Sequence, residues 1–386
     1  MQNFMYDIPT KLLFGKGQIE NLTSVLQSFG KNVLLTYGGG SIKKSGLYDD
    51  IMQRLTTSHF HVVELSGIEP NPRIETVKKG VELCHVHNID VILAVGGGST
   101  LDCSKAICAG YYYSGDLWEM VLHPQTITKT LPLVDILTLS ATGSEFDAFG
   151  VISNPITQEK IGSPFCYPNV SICDPAYTFS VPALQTAAGS ADIMSHVLEV
   201  YFSEDASCDL AEGISEIILR SVIKNLPIVL KDPHDYDARA NLMWNSTWAC
   251  SGITGMGKIN YTWSCHAIEH ELSAFYDITH GVGLAILTPR WMEYILDEKT
   301  VDRFTRFSRN VWGLEDDDPY VLARKGIQAL YDFFVSVNLP MTLHEVGIDE
   351  THFEKMAEDA VKYGELLDAY VSLTKEDVMN ILKACL

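Results

Sequence analysis

Positive charge is scarce in this chain. Only 28 Lys and Arg stand against 49 Asp and Glu, giving a formal net charge of −21 and a pI near 4.9. That balance argues against nucleic acid or an anionic membrane as partner, since both are bound through basic surfaces. A small anionic cofactor is still allowed, because it needs only a locally favourable pocket. No uncharged apolar run approaches the roughly 18 residues that span a bilayer. The first residues, Met1-Gln-Asn-Phe-Met-Tyr-Asp7, carry neither the basic region nor the apolar run of a signal peptide, so a cytoplasmic location is expected. The nine cysteines, at 84, 103, 108, 166, 173, 208, 250, 265 and 385, are odd in number and never spaced C-x-x-C. They read as buried reduced thiols, not as a disulfide framework or zinc finger. Internal repeats and low-complexity tracts are missing, and so is the dinucleotide fingerprint G-x-G-x-x-G.

What is present divides the chain in two. Near-continuous apolar strands alternate with amphipathic helices in the first half: 31–37, 60–65, 90–95 and 131–139 read as strands. That pattern implies a parallel sheet covered on both faces. From about Thr178 onward strand-like runs largely stop and helical stretches follow one another, with Pro182, Pro233, Pro289 and Pro340 expected near their boundaries. The expectation is therefore an α/β dinucleotide-binding domain over 1–180 and an all-helical domain over 181–386.

Three small-residue turns close successive strands: Gly38-Gly39-Gly40-Ser41, Gly96-Gly97-Gly98-Ser99, and Ser140-Ala-Thr-Gly-Ser-Glu145. Ligands of such sheets bind at the carboxyl ends of strands, and glycines let backbone N–H groups approach a pyrophosphate at a helix N-terminus. One tight turn alone is as well explained by packing. Three in succession favour a phosphate-rich ligand. Ser99 is placed to cap the following helix, with Asp102 completing a capping-box-like pair. The Gly38–Ser41 turn lacks the acid that would repel a 2′-phosphate, and Lys43 and Lys44 follow it. NADP(H) is therefore expected to be preferred over NAD(H), although Lys43 and Lys44 also fit an ordinary solvated helix face.

The second half carries the metal-type chemistry. His266, His270 and His280, three of the chain's 12 histidines, fall within Trp263-Ser-Cys-His-Ala-Ile-Glu-His-Glu-Leu-Ser-Ala-Phe-Tyr-Asp-Ile-Thr-His280. On a helix His266 and His270 share a face, and a break is expected near Tyr276-Asp277. Asp192 and His196 are spaced i,i+4 just after Gly189-Ser190, which suggests a turn and cap there. A lone Asp-x-x-x-His pair is more often a surface pair. Together with the histidine cluster it offers imidazoles and a carboxylate to one divalent transition metal with an open coordination position. Cys265, beside His266, points about 100° away and is assigned to the core.

These features together resemble the iron-containing alcohol dehydrogenase family. The resemblance rests on Gly96-Gly-Gly-Ser-x-x-Asp102-x-x-Lys105, Thr142-Gly-Ser-Glu145 and His266-x-x-x-His270 with His280-Gly281, and it covers essentially the whole chain. Tyr37-Gly-Gly-Gly-Ser-Ile-Lys-Lys44 and Gly67-Ile-Glu-Pro-Asn-Pro72 are similar to its butanol dehydrogenase and aldehyde reductase branch. The resemblance implies a dehydroquinate synthase-like fold, a homodimer or larger assembly, and reduction of short- and medium-chain aldehydes. It implies Asp192, His196, His266 and His280 as metal ligands, with Fe²⁺ expected first and Zn²⁺ second, and His270 as a non-ligand histidine that assists proton transfer. It assigns Gly97, Gly98, Ser99 and Asp102 to the pyrophosphate turn, Thr138 and Thr142 to the next cofactor-lining turn, and Lys160 to the cofactor ribose. Asp147 departs from the family pattern and places an extra carboxylate in question. The rival expectations are a glycerol dehydrogenase-like polyol oxidoreductase using NAD and zinc, a lyase of the dehydroquinate synthase type, and a non-catalytic regulator that binds nucleotide and metal.

Overall fold

The structure, a computed structural model, describes residues 1–204, 207–259 and 261–386. The chain forms two compact units, one of Asp7–Val181 and one of Pro182–Leu386 together with Met1–Tyr6.

The first unit is built on strands β1 (Lys11–Phe14), β2 (Asn32–Tyr37), β3 (His61–Ser66), β4 (Val91–Gly96), β5 (Leu133–Leu137), β6 (Phe149–Asn154), β7 (Glu159–Pro164) and β8 (Val170–Cys173). Its helices are α1 (Leu22–Gln27), α2 (Ser41–Lys44), α3 (Leu47–Thr57), α4 (Ile74–Val86), α5 (Gly98–Gly110) and α6 (Leu117–Leu122). Six strands make one sheet in the order β1-β8-β5-β4-β2-β3, every neighbour parallel. β4 and β5 are buried along their whole lengths, which is why they are nearly continuous apolar runs without alternation, broken only by Asp135, whose carboxylate accepts the Ser171 hydroxyl at 2.5 Å. The edge strand β3 is largely exposed or half-buried, only Leu65 being buried, and it leaves Glu64 exposed. β6 and β7 form a separate antiparallel pair.

β2 passes to β3 on one side, whereas β4 passes to β5 on the other, so the direction of winding reverses between β2 and β4. Open α/β sheets bind their ligands at such a reversal, outside the carboxyl ends of the strands. The turns after β2, β4 and β5 all lie there.

The second unit carries α7 (Ala183–Tyr201), α8 (Asp209–Lys231), α9 (Tyr236–Ala249), α10 (Ser264–Tyr276), α11 (His280–Ile295), α12 (Val301–Trp312), α13 (Pro319–Ser336), α14 (Phe353–Tyr363) and α15 (Lys375–Ala384). One apolar core runs through it, from Ala187 on α7 to Cys385. No helix among the described residues is long and apolar enough to cross a membrane.

Three local expectations are corrected. Gly189-Ser190 make no turn, because α7 runs unbroken through them and the Ser190 hydroxyl donates to Thr186 O at 2.9 Å. Pro289 lies inside α11, where burial on nearly every side outweighs a loss of roughly 3 kcal/mol. Ser99 does not cap α5: Gly97 is the N-cap, the Ser99 hydroxyl donates to Pro70 O, and Asp102 is turned elsewhere. Separately, Gly46 adopts φ +82° between α2 and α3.

Candidate metal and dinucleotide sites

α7 sets Asp192, His196 and Glu199 at intervals of four and three, hence on one face. α10 sets Glu269 and His270 three and four residues past His266, so that both neighbour it on the helix surface. The chain then turns through Asp277, which caps α10 with φ 52°, and restarts at His280, the first residue of α11. Gly281 makes this approach feasible, because a methyl group there would overlap the Ala188 carbonyl on α7. At Gly283 a Cβ would come 2.8 Å from Glu269 Cγ. The two glycines allow α11 to begin hard against α7 and α10.

Four side chains converge as a result. The ligand atoms of Asp192, His196 and His266 lie within 4.8 Å of one another. Asp192 Oδ1 is 2.9 Å from His196 Nδ1, 3.6 Å from His266 Nε2 and 3.9 Å from His280 Nε2. It accepts a well-directed hydrogen bond from none of them, and His266 Nε2 is equally without a hydrogen-bond partner although both atoms are buried. Buried polar atoms without partners are costly, and a carboxylate facing several imidazoles without hydrogen bonds is the donor set of a divalent cation. The residues fit the metal that their chemistry implies.

The imidazoles are held from behind by carboxylates that sequence reading did not single out. Glu199 Oε1 lies 2.5 Å from His266 Nδ1 and accepts the Ser195 hydroxyl at 2.8 Å. Its other oxygen accepts the backbone N–H groups of Cys265 at 2.6 Å and His266 at 3.2 Å, the first turn of α10. Glu269 meets His280 Nδ1 in the same way and accepts the Ser273 hydroxyl at 2.5 Å. Orientation of ligand histidines by carboxylates through the second ring nitrogen is a general feature of metal sites. The signal was available as two acids in otherwise apolar helical faces, Glu199 seven residues past Asp192 and Glu269 three past His266.

The electrostatics agree. Burial opposes ionisation of Asp192, yet His196, His266 and His280 hold its carboxyl well below the usual range. Burial likewise disfavours charge on His266, but Glu199 and Asp192 outweigh it and push its pKa up to about 10. A bound divalent ion would displace that proton. His270 stands beside the cluster, its ring 5.8 Å from that of His280 and 6.4 Å from that of His266. Trp263 packs edge-on against His196 at 5.3 Å and His266 at 5.4 Å. Trp248 and Phe275 are partly buried and pack against the apolar core of the helical unit.

In the first unit the three turns lean on one another. Thr138 N donates to Gly96 O at 2.9 Å, and a Cβ on Gly98 would lie 2.6 Å from the Thr142 hydroxyl. Gly38 and Gly39 lead into Gly40, which takes φ +98° ahead of Ser41, a conformation that favours glycine. Asp102 is buried, accepting the Ser144 hydroxyl at 2.7 Å and Val151 N–H at 3.0 Å, so it ties α5 to the loop after β5. Burial pushes its pKa up to about 6. Lys160 is buried on β7 opposite Ser153. Asp147, the questioned extra carboxylate, is neutralised: its Oδ1 receives the fully buried Lys105 ammonium at 2.8 Å and Phe149 N–H at 2.8 Å. It adds no free charge.

A parallel sheet with three glycine-type turns, followed in the same chain by a helical unit in which Asp192, His196, His266 and His280 converge, has the dehydroquinate synthase-like fold. Residues 9–175 match the family model described as iron-containing alcohol dehydrogenase, and residues 186–386 match its C-terminal counterpart; the chain belongs to the iron-containing alcohol dehydrogenase family. It is 51% identical to NADH-dependent butanol dehydrogenase A of Clostridium acetobutylicum, over 99% of each chain. It is 34% identical to an NADPH-dependent aldehyde reductase of Escherichia coli, over 94% of each. Among solved structures, NADH-dependent butanol dehydrogenase A of Thermotoga maritima superposes with a TM-score of 0.95 at 39% identity, over 100% of this chain and 99% of that one. The chain is accordingly an NAD(P)-dependent alcohol dehydrogenase.

Proposed function

We propose that the protein interconverts short- to medium-chain aldehydes and primary alcohols, using one divalent metal held by Asp192, His196, His266 and His280 and a nicotinamide dinucleotide held over the Gly38, Gly97 and Thr138 turns. The observation that carries this reading is the pair of buried, unpartnered ligand atoms, Asp192 Oδ1 and His266 Nε2, facing each other at 3.6 Å. A bound divalent ion supplies Lewis acidity toward a carbonyl oxygen, and the nicotinamide supplies hydride.

This chain's own residues do the rest. Asp192 contributes the one anionic ligand, and Glu199 and Glu269 fix the ring orientations of His266 and His280. His270, whose ring lies 5.8 Å from that of His280, would hold and release the proton that an alcohol oxygen gains or loses. Trp263 covers His196 and His266 with an apolar ring that limits water. Iron is the expected metal from the family, and zinc would fit the same donors. A homodimer is the proposed assembly.

The absence of a carboxylate from Gly38–Ser41 supports NADP(H) as the preferred cofactor. A second reading, NAD(H), is favoured by a specific observation: relatives at 51% and 47% identity bear the name NADH-dependent butanol dehydrogenase. The ratio of kcat/KM for NADPH and NADH with butyraldehyde decides between them. Ser41→Asp should lower that ratio, and an unchanged ratio would remove the turn from the argument.

A further inference from the structure

Beneath the Gly38–Ser41 turn lies a charged cluster with no role so far. Glu64 on the edge strand β3 accepts the Tyr37 hydroxyl at 2.6 Å and the Tyr48 hydroxyl at 2.8 Å. Lys43, two residues past Ser41, sits over the same two rings, 4.4 Å from the Tyr48 centroid and 5.1 Å from that of Tyr37. The two rings meet edge-on at 5.8 Å. Burial works against ionisation of Glu64, but the two phenols and Lys43 hold it as a carboxylate.

The place of this cluster in the sheet gives it meaning. β3 runs parallel to β2 with Tyr37 opposite Ser66, and the turns leaving the two strands are bonded: Gly67 N donates to Gly38 O at 3.2 Å. Dinucleotide-binding units carry an acid that meets the ribose 2′-hydroxyl and repels a 2′-phosphate. Glu64 stands on β3, the strand paired with β2, whose end carries the Gly38–Ser41 turn. The acid missing from the turn is supplied from one strand further on.

We infer that Glu64 and Lys43 form an opposed pair that sets the cofactor's 2′ specificity, Lys43 attracting a 2′-phosphate and Glu64 cancelling that attraction while accepting a 2′-hydroxyl. The inference rests on the dinucleotide reading of the Gly38–Ser41 turn. Tyr37 and Tyr48 are positioning residues, holding both charges against the turn through two hydrogen bonds and two ring faces. Such a balance makes the preference between NADPH and NADH a matter of degree, tunable without touching the turn.

The test is calorimetric titration of the full chain with ADP-ribose and with 2′-phospho-ADP-ribose, in wild type, Glu64→Gln and Lys43→Met. Glu64→Gln should raise relative affinity for the 2′-phosphorylated ligand roughly fivefold, the size of an exposed charge contact, and Lys43→Met should lower it by a similar factor. Both shifts should shrink at high salt. Lys43 is a surface side chain, so its variant keeps the test open if Glu64→Gln folds poorly. Unchanged ratios, or shifts of the same sign in both variants, would overturn the inference while leaving the dinucleotide reading intact. A wild-type protein that bound neither ligand would overturn that reading, and this inference with it.

Discussion

Glu199 Oε1 and His266 Nδ1 lie 2.5 Å apart, and this one contact joins the metal cradle to the start of α10. The same carboxylate caps the helix through Cys265 N–H and His266 N–H. Ring orientation and helix position are therefore set together. In Glu199→Gln the amide keeps one acceptor for His266 but turns an NH₂ toward two N–H donors. Metal affinity should fall about 10- to 100-fold, measured by competition with a fluorescent chelator. An unchanged affinity would make Glu199 a helix cap and nothing more.

Gly281 tests whether close helix approach matters. A methyl group there meets the Ala188 carbonyl, so Gly281→Ala must push α11 off α7 and carry His280 with it. We expect about 1–3 kcal/mol of destabilisation in urea unfolding, accompanied by loss of stoichiometric metal. Full metal content in this variant would contradict the packing account.

His270 is proposed as a proton carrier and not a ligand. His270→Ala should lower kcat roughly 100-fold or more while metal content stays at one equivalent. Loss of the metal in that variant would instead make His270 a ligand.

Asp102 provides a pH signature. Burial raises its folded pKa to about 6, above the 3.8 of an exposed aspartate. Between these values the native state holds a proton that the unfolded chain has released, so stability falls as pH rises from about 4 to 6 and its loss is complete above that. The change amounts to ~3 kcal/mol at most. Asp102→Asn should flatten this window in urea-unfolding midpoints, whatever its effect on overall stability. A window as steep as in wild type would assign the slope to other groups.

The convergence of Asp192, His196, His266 and His280 was legible in the sequence because three of the four sit at helical spacings or directly at a helix start. Asp192/His196 and the His266–His280 cluster advertise themselves as polar groups in apolar helices. The sheet's centre was legible for the same kind of reason, since β4 is apolar throughout and β5 is apolar apart from Asp135. What sequence reading missed were elements whose residues look ordinary: the edge strand β1, the β6–β7 pair and β8, short segments defined by pairing and not by pattern. Glu199 and Glu269 were passed over because a glutamate in a helix is usually solvated, and only tertiary burial turns it into a histidine's partner. Asp102 misled locally, since its spacing from Ser99 imitates a capping box while its carboxylate serves Ser144 and Val151. Asp147 raised a question of free charge that only the position of Lys105 could answer.

The most direct test of the central claim is anaerobic turnover of butyraldehyde by metal-stripped protein reconstituted with Fe²⁺ or Zn²⁺, NADPH and NADH being followed in parallel at 340 nm. The account predicts no turnover without metal, restoration on adding one equivalent, and no restoration in Asp192→Ala. Tight binding of both metal and dinucleotide with no turnover under any of these conditions would contradict it, leaving a nucleotide- and metal-binding protein that is not an aldehyde reductase.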